Sequence, residues 1–137
     1  AARNAGAEII LAELAPNATA HFDANAVSQV LTNLIGNAIV HNKGSTKITI
    51  SWQKEDEKEV RVTVSDNGKG IPKEELENIF QRFYQLHNEL EGRPKGTGLG
   101  LSISRSIVEA HRGKIWCESD SGKGAKFVFT LPTGKPL

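Results

Sequence analysis

The chain of 137 residues has single-domain length, and its 38% hydrophobic content is too high for a disordered polymer. Seventeen basic residues against sixteen acidic ones argue against bulk electrostatic binding of nucleic acid or a membrane, though they allow a local cationic pocket. No apolar stretch is long enough to cross a bilayer, and Cys117 stands alone, so neither a disulfide framework nor a zinc cluster is expected. No signal peptide is visible, which points to a reducing, cytoplasmic setting. The opening without Met, in mid-pattern, is read as belonging to a fragment of a longer protein.

In chain order, residues 8–15 and 18–22 read as two short strands around the turn Pro16-Asn17. Asp23 is a candidate N-cap for a helix running to about His41. Its apolar stripe is Ala26, Val27, Val30, Leu31, Leu34, Ile35, Ala38 and Ile39. Asn42-Lys43-Gly44-Ser45 supplies C-cap chemistry. Two alternating strands follow, with Ile48, Ile50 and Trp52, then Val60, Val62 and Val64, joined by a charged hairpin from Lys54 to Glu59. A short helix is expected near 73–81, then an aperiodic polar stretch over 85–95. A helix from about Gly98 to His111 and two strands, 114–119 and 125–131, around Gly122-Lys123-Gly124 complete an α+β order. With no internal repeat and no linker, residues 1–137 read as one domain.

The junction at Asp66 carries the most chemistry. Val60, Val62, Val64 and Asp66 alternate onto one strand face, so the carboxylate is aimed at the margin of the core. Gly68 and Gly70 then let a backbone turn or a ligand come close. An inward-facing acid needs a donor, either a backbone N–H or a ligand amine such as the amino group of adenine.

Two further patterns stand out. Gln29, Asn33, Asn37 and His41 recur every fourth residue along the first helix, either as a solvated face or as hard amide ligands for Mg2+ held jointly with phosphates. Gly96-Thr97-Gly98-Leu99-Gly100-Leu101-Ser102 opens a helix, where free N–H groups suit an anion or where the glycines merely permit close packing. It lacks the Gly-Lys-Ser/Thr of a Walker loop, and Leu101 stands where a dinucleotide fingerprint has its third glycine.

Together and in order, these elements resemble the catalytic, ATP-binding domain of sensor histidine kinases, in the superfamily of gyrase, heat-shock chaperone and mismatch-repair ATPases. Gln29 to Ala38 is similar to the N box, Asp66 to Pro72 to the first glycine box, and Ile79 to Tyr84 to the F box. Gly96 to Leu101 is similar to the second glycine box and Gly122 to Phe127 to the final glycine turn. The resemblance covers nearly everything from Asp23 to Pro132.

It implies a two-layer α/β sandwich, a mixed sheet packed on one layer of helices, with a mobile ATP lid over residues 85–97. It further implies that Asp66 accepts from the adenine amino group, beside Gly68, Gly70 and Ile71. Asn37 would bind Mg2+, with Asn33 lining the phosphates and both serving catalysis. Gly96, Gly98 and Gly100 would donate backbone N–H groups, with Thr97, Leu99 and Leu101 beside them. Phe80 and Phe83 would anchor the lid. The acceptor histidine would belong to a separate helical dimerisation and phosphoacceptor domain, with a response regulator as indirect partner and the fragment itself monomeric. The parent protein can be membrane-anchored in this family, without direct membrane contact by this domain.

None of His21, His41, His87 and His111 has the acceptor's sequence context. His41 is a candidate phosphate contact, and His111 is expected to cap its helix as a cation. The hydrolysing relatives place Glu where Asn33 stands, and an amide cannot take a proton from water, so slow hydrolysis is expected. Val40 and Gln85 are neutral where the kinases often carry cations, leaving Lys43, Arg82, Arg93 and Lys95 to meet the triphosphate. Those two positions are the sequence basis for the alternative reading, a degenerate nucleotide-binding module that signals ATP occupancy without transfer. Arg112-Gly113 replaces the usual Gly-Gly and is read as a harmless change at a turn.

Overall fold

A computed structural model describes residues 7–13, 23–41, 46–54, 56, 58–68, 70–81, 100–119 and 124–132; side chains are described throughout except those of 7–13, 40, 41 and 46. The second expected strand, the C-cap at 42–45, Phe83 and residues 82–99 lie outside that set.

Strand β1 (Ala7–Glu13) precedes helix α1 (Ala24–His41), and strands β2 (Thr46–Lys54) and β3 (Glu59–Asp66) follow it. Helix α2 (Gly100–Ala110) leads to β4 (Ile115–Ser119) and β5 (Ala125–Pro132). The sheet order is β1-β2-β3-β5-β4. β1 pairs parallel with β2, as a connection through a helix permits, and every other pairing is antiparallel. The fold is thus α+β, with a mixed sheet and both helices on one of its faces.

Local chemistry sets the boundaries. Asp23 caps α1, its Oδ1 accepting from the N–H groups of Asn25 at 2.9 Å and Ala26 at 3.1 Å. In the β2–β3 hairpin, Asp56 Oδ1 takes the N–H groups of Lys58 and Glu59 at 2.7 and 3.0 Å. The segment expected as a helix near 73–81 is instead a 3-10 turn over Lys73–Glu75 followed by further turns. Its bonds are mostly of the tighter kind, Glu75 N–H to Pro72 O at 2.9 Å and Leu76 N–H to Lys73 O at 3.3 Å. Leu76, Ile79 and Phe80 have helical spacing, but so short a segment is held by packing rather than by propensity.

The core forms where α1 and α2 cover the sheet. Val27, Val30, Leu34 and Ala38 of α1 and Val108 of α2 are buried with Ile48, Ile50, Val64, Phe127, Phe129 and Leu131. Leu34 is fully enclosed, and burying a side chain of that kind contributes about 1.5–3 kcal/mol. Phe80 meets Phe127 edge-on with ring centroids 6.1 Å apart, worth about 0.5–1.5 kcal/mol beyond area. Among the described residues no helix is long and apolar enough to cross a membrane.

Candidate functional site

The register places Asp66 at the end of β3 opposite Ile48, on the same side of the sheet as buried Val60 and Val64. Its carboxylate is half-buried. Oδ1 accepts from the N–H of Gly68 at 2.9 Å and from that of Ala125 at 3.3 Å. Both donors converge on one oxygen, and Oδ2 has no hydrogen-bond partner among the described residues. Beyond it, Gly70 takes φ +82°, a conformation that needs glycine, and turns the chain so that Ile71 is buried in the core cluster. Gly124 closes the other side at φ +89°; a Cβ there would stand 2.0 Å from the Asp66 carbonyl oxygen.

The polar stripe of α1 is graded. Gln29 is exposed, whereas Asn33 and Asn37 are half-buried. Asn33 Nδ2 donates to Gly100 O and to Ser104 Oγ, both at 3.2 Å, tying α1 to the first turn of α2. Ser104 is fully buried, so the bond to it lies inside the interface between the helices, while the bond to Gly100 O is at the surface. With both amide protons engaged, the Asn33 oxygen is the atom left to interact elsewhere. Asn37 has no hydrogen-bond partner among the described residues.

The far end of α2 is joined to the start of α1. His111 Nε2 accepts from the Asp23 N–H at 3.0 Å, so Nδ1 carries the ring proton and donates to Ile107 O at 2.9 Å. The ring thus caps its helix as expected, but as a neutral tautomer that also bridges the two helices rather than as a cation. Arg112 is also less innocuous than expected. Gly113 N–H reaches Val108 O and Arg112 N–H reaches Glu109 O, both at 2.9 Å, forming a Schellman ending. That motif puts Arg112 at φ +66°, where a Cβ is strained.

The sequence pattern of the histidine kinase-, DNA gyrase B- and HSP90-like ATPases matches residues 22–135. The chain belongs to that family. Within it, the chain falls with the catalytic ATP-binding domains of sensor histidine kinases. It is 40% identical over 111 residues to sensor histidine kinase WalK of Bacillus subtilis, covering 80% of this chain and 18% of that protein. The catalytic domain of histidine kinase ThkA superposes with a TM-score of 0.80 at 35% identity, covering 96% of this chain and 82% of that one. Full-length ShkA in complex with AMPPNP gives a TM-score of 0.84 at 29% identity, covering 99% of this chain and 27% of that one.

The candidate site residues fall only in part within the described set. Asp66, Gly68, Gly70 and Ile71 form one continuous segment, while Asn33 lies against Gly100 with half-buried Leu101 next to it. Phe80 is in the core against Phe127. The side chain of His41 and residues Lys43, Arg93, Lys95, Gly96, Thr97, Gly98 and Leu99 lie outside the described set. Sequence reading missed Ser104, Ser119 and the Gly124–Asp66 contact. The available signal for Ser119 was its place after Ile115 and Cys117 on the core-facing side of β4, where a polar residue calls for a reason.

Cys117 is buried in the core, paired with Phe127 across β4 and β5. Burial pushes its thiol from 9.0 up to about 12, the Lys126 backbone hydrogen bond partly opposing, with the nearby Asp66 and Glu118 charges raising it further. The opposite face of the sheet carries a shallow polar groove lined by Ser51, Gln53, Arg61, Thr63, Ser65 and Lys126, on the side away from Asp66 and both asparagines.

Proposed function

We propose that this domain binds Mg-ATP and donates the γ-phosphate to a histidine on a separate dimerisation and phosphoacceptor domain, in two-component signal transduction. The observation that carries the proposal is the Asp66 carboxylate. One oxygen is held by two backbone N–H groups, leaving the other for the exocyclic amino group of adenine beside Gly70. Asp23 and Asp56 divide their oxygens in the same way at exposed turns, whereas Asp66 does so half-buried beside the Gly70 turn.

Asn37 supplies an amide oxygen to Mg2+, an ion that keeps few protein ligands and shares the rest with phosphates and water. The donor fits that use, since Asn37 offers a hard amide oxygen and is half-buried on the stripe shared with Asn33. The bound ion supplies charge neutralisation at the phosphates. Asn33 holds α1 against α2 and turns its oxygen to the phosphate side, with His41 beyond it on the same stripe. Gly96, Gly98 and Gly100 donate backbone N–H groups, and Lys43, Arg93 or Lys95 meets the remaining charge. Transfer then depends on positioning, since phosphoryl transfer asks little covalent work of the protein. The amide of Asn33 cannot act as a base toward water, which keeps ATP intact until the acceptor histidine arrives.

The chain spans 18% of WalK and 27% of ShkA, so the acceptor domain and the response regulator are partners beyond this piece. The domain acts on the cytoplasmic side, as a monomer, and is inactive without its acceptor. Mixing it with the parent's phosphoacceptor domain and labelled ATP tests this. Acid-labile phosphate on the acceptor histidine is expected; a nucleotide-bound domain that never labels the acceptor would instead fit the non-transferring module.

A further inference from the structure

The β4–β5 turn touches both ends of the segment that begins at Asp66 and ends at Ile71. At one end, Ala125 donates its N–H to Asp66 Oδ1, and Gly124 packs its backbone directly on the Asp66 carbonyl. At the other end, Ile71 donates its N–H to Ser119 Oγ at 2.7 Å. The Ser119 hydroxyl donates in turn to Gly124 O at 2.9 Å. Ser119 and Ala125 are paired across the strands, which fixes the hydroxyl between these groups. A hydroxyl has one proton and two lone pairs, and here the proton goes to the Gly124 carbonyl and one lone pair to the Ile71 N–H.

We infer that Ser119 is a positioning residue for nucleotide, closing the Asp66–Ile71 segment onto Gly124 so that the carboxylate and the Gly70 turn keep one spacing. The inference rests on the nucleotide reading and deepens it: base selectivity depends on a residue that does not touch the base. Two bonds to backbone groups make Ser119 the sole side-chain link between Ile71 and the β4–β5 turn among the described residues. Without the hydroxyl, the Ile71 N–H and the Gly124 carbonyl lose their partners together. The loop then samples wider positions, and a preorganised pocket loses affinity when its supporting contacts loosen.

The test compares Ser119→Ala with Ser119→Thr, which retains the hydroxyl. In nucleotide-free protein, amide exchange at Ile71 is expected to accelerate about tenfold in Ser119→Ala, the loss of one ordinary hydrogen bond. Affinities for AMPPNP and ADP are expected to fall by a common factor of about ten, with discrimination against GMPPNP narrowing and Ser119→Thr restoring both. Melting temperature is followed in parallel, because a purely structural residue would lower it while leaving the AMPPNP to GMPPNP ratio unchanged. That ratio holding constant, or parental affinity in Ser119→Ala, overturns the inference. If the parent protein binds no adenine nucleotide, the nucleotide reading fails by itself. The exchange at Ile71 then still decides whether Ser119 braces the loop.

Discussion

Replacing Asp66 by Asn separates the backbone contacts of this carboxylate from its proposed contact with adenine. The Asn oxygen can still accept from Gly68 and Ala125, the two bonds that Asp66 Oδ1 makes at 2.9 and 3.3 Å. The other oxygen becomes an NH2 group, which faces an adenine amine donor to donor. The variant loses one charge-assisted hydrogen bond, about 1.5–3 kcal/mol, or about 10- to 150-fold in Kd. Asp66→Ala additionally strands the Gly68 and Ala125 N–H groups and is expected to lose about 1–3 kcal/mol of stability. Calorimetric titration with AMPPNP and thermal melts of both variants distinguish the effects. Asp66→Asn should melt near the parent and bind weakly, whereas Asp66→Ala should fail in both respects. An Asp66→Asn protein that binds within about twofold of the parent would refute the adenine contact.

Other expectations follow from the same geometry. Asn37→Ala should abolish the strengthening of nucleotide binding by Mg2+; a variant that retains it would exclude Asn37 as the ion's ligand. Arg112→Gly should raise stability by about 0.5–1 kcal/mol in denaturant unfolding, because relief of the αL strain outweighs glycine's added chain entropy; a loss of stability would contradict that account. The raised Cys117 pKa means that the folded state keeps a proton the unfolded state releases above its value of 9.0. Stability should therefore be intact below that pH and fall by about 1.4 kcal/mol per unit up to about 12, and Cys117→Ser should flatten the slope.

Much of the fold was legible because its signals are local. The α1 stripe, the Asp23 cap and the alternation of β2 and β3 follow from period and capping chemistry. The parallel pairing of β1 with β2, and the insertion of β5 between β3 and β4, depend on partners far apart in sequence and have no local signature. The turn at 73–81 misled because Leu76, Ile79 and Phe80 repeat as on a helix, while their burial is decided by Phe127 and the core. The cap by His111 was legible, but its charge was not, because the group that meets its other ring nitrogen, the Asp23 N–H, lies across the helix interface. Asp66 and the asparagines carry recognisable spacing, whereas Ser119 and Gly124 matter through backbone contacts that any polar or small residue in a turn can hide.

The most direct test of the account is calorimetric titration of this domain with AMPPNP, with and without Mg2+. Binding that is measurable alone and strengthens with Mg2+ is the expected result, with Asp66 holding the base and Asn37 the ion. No binding, or binding indifferent to Mg2+, would contradict a competent phosphate donor.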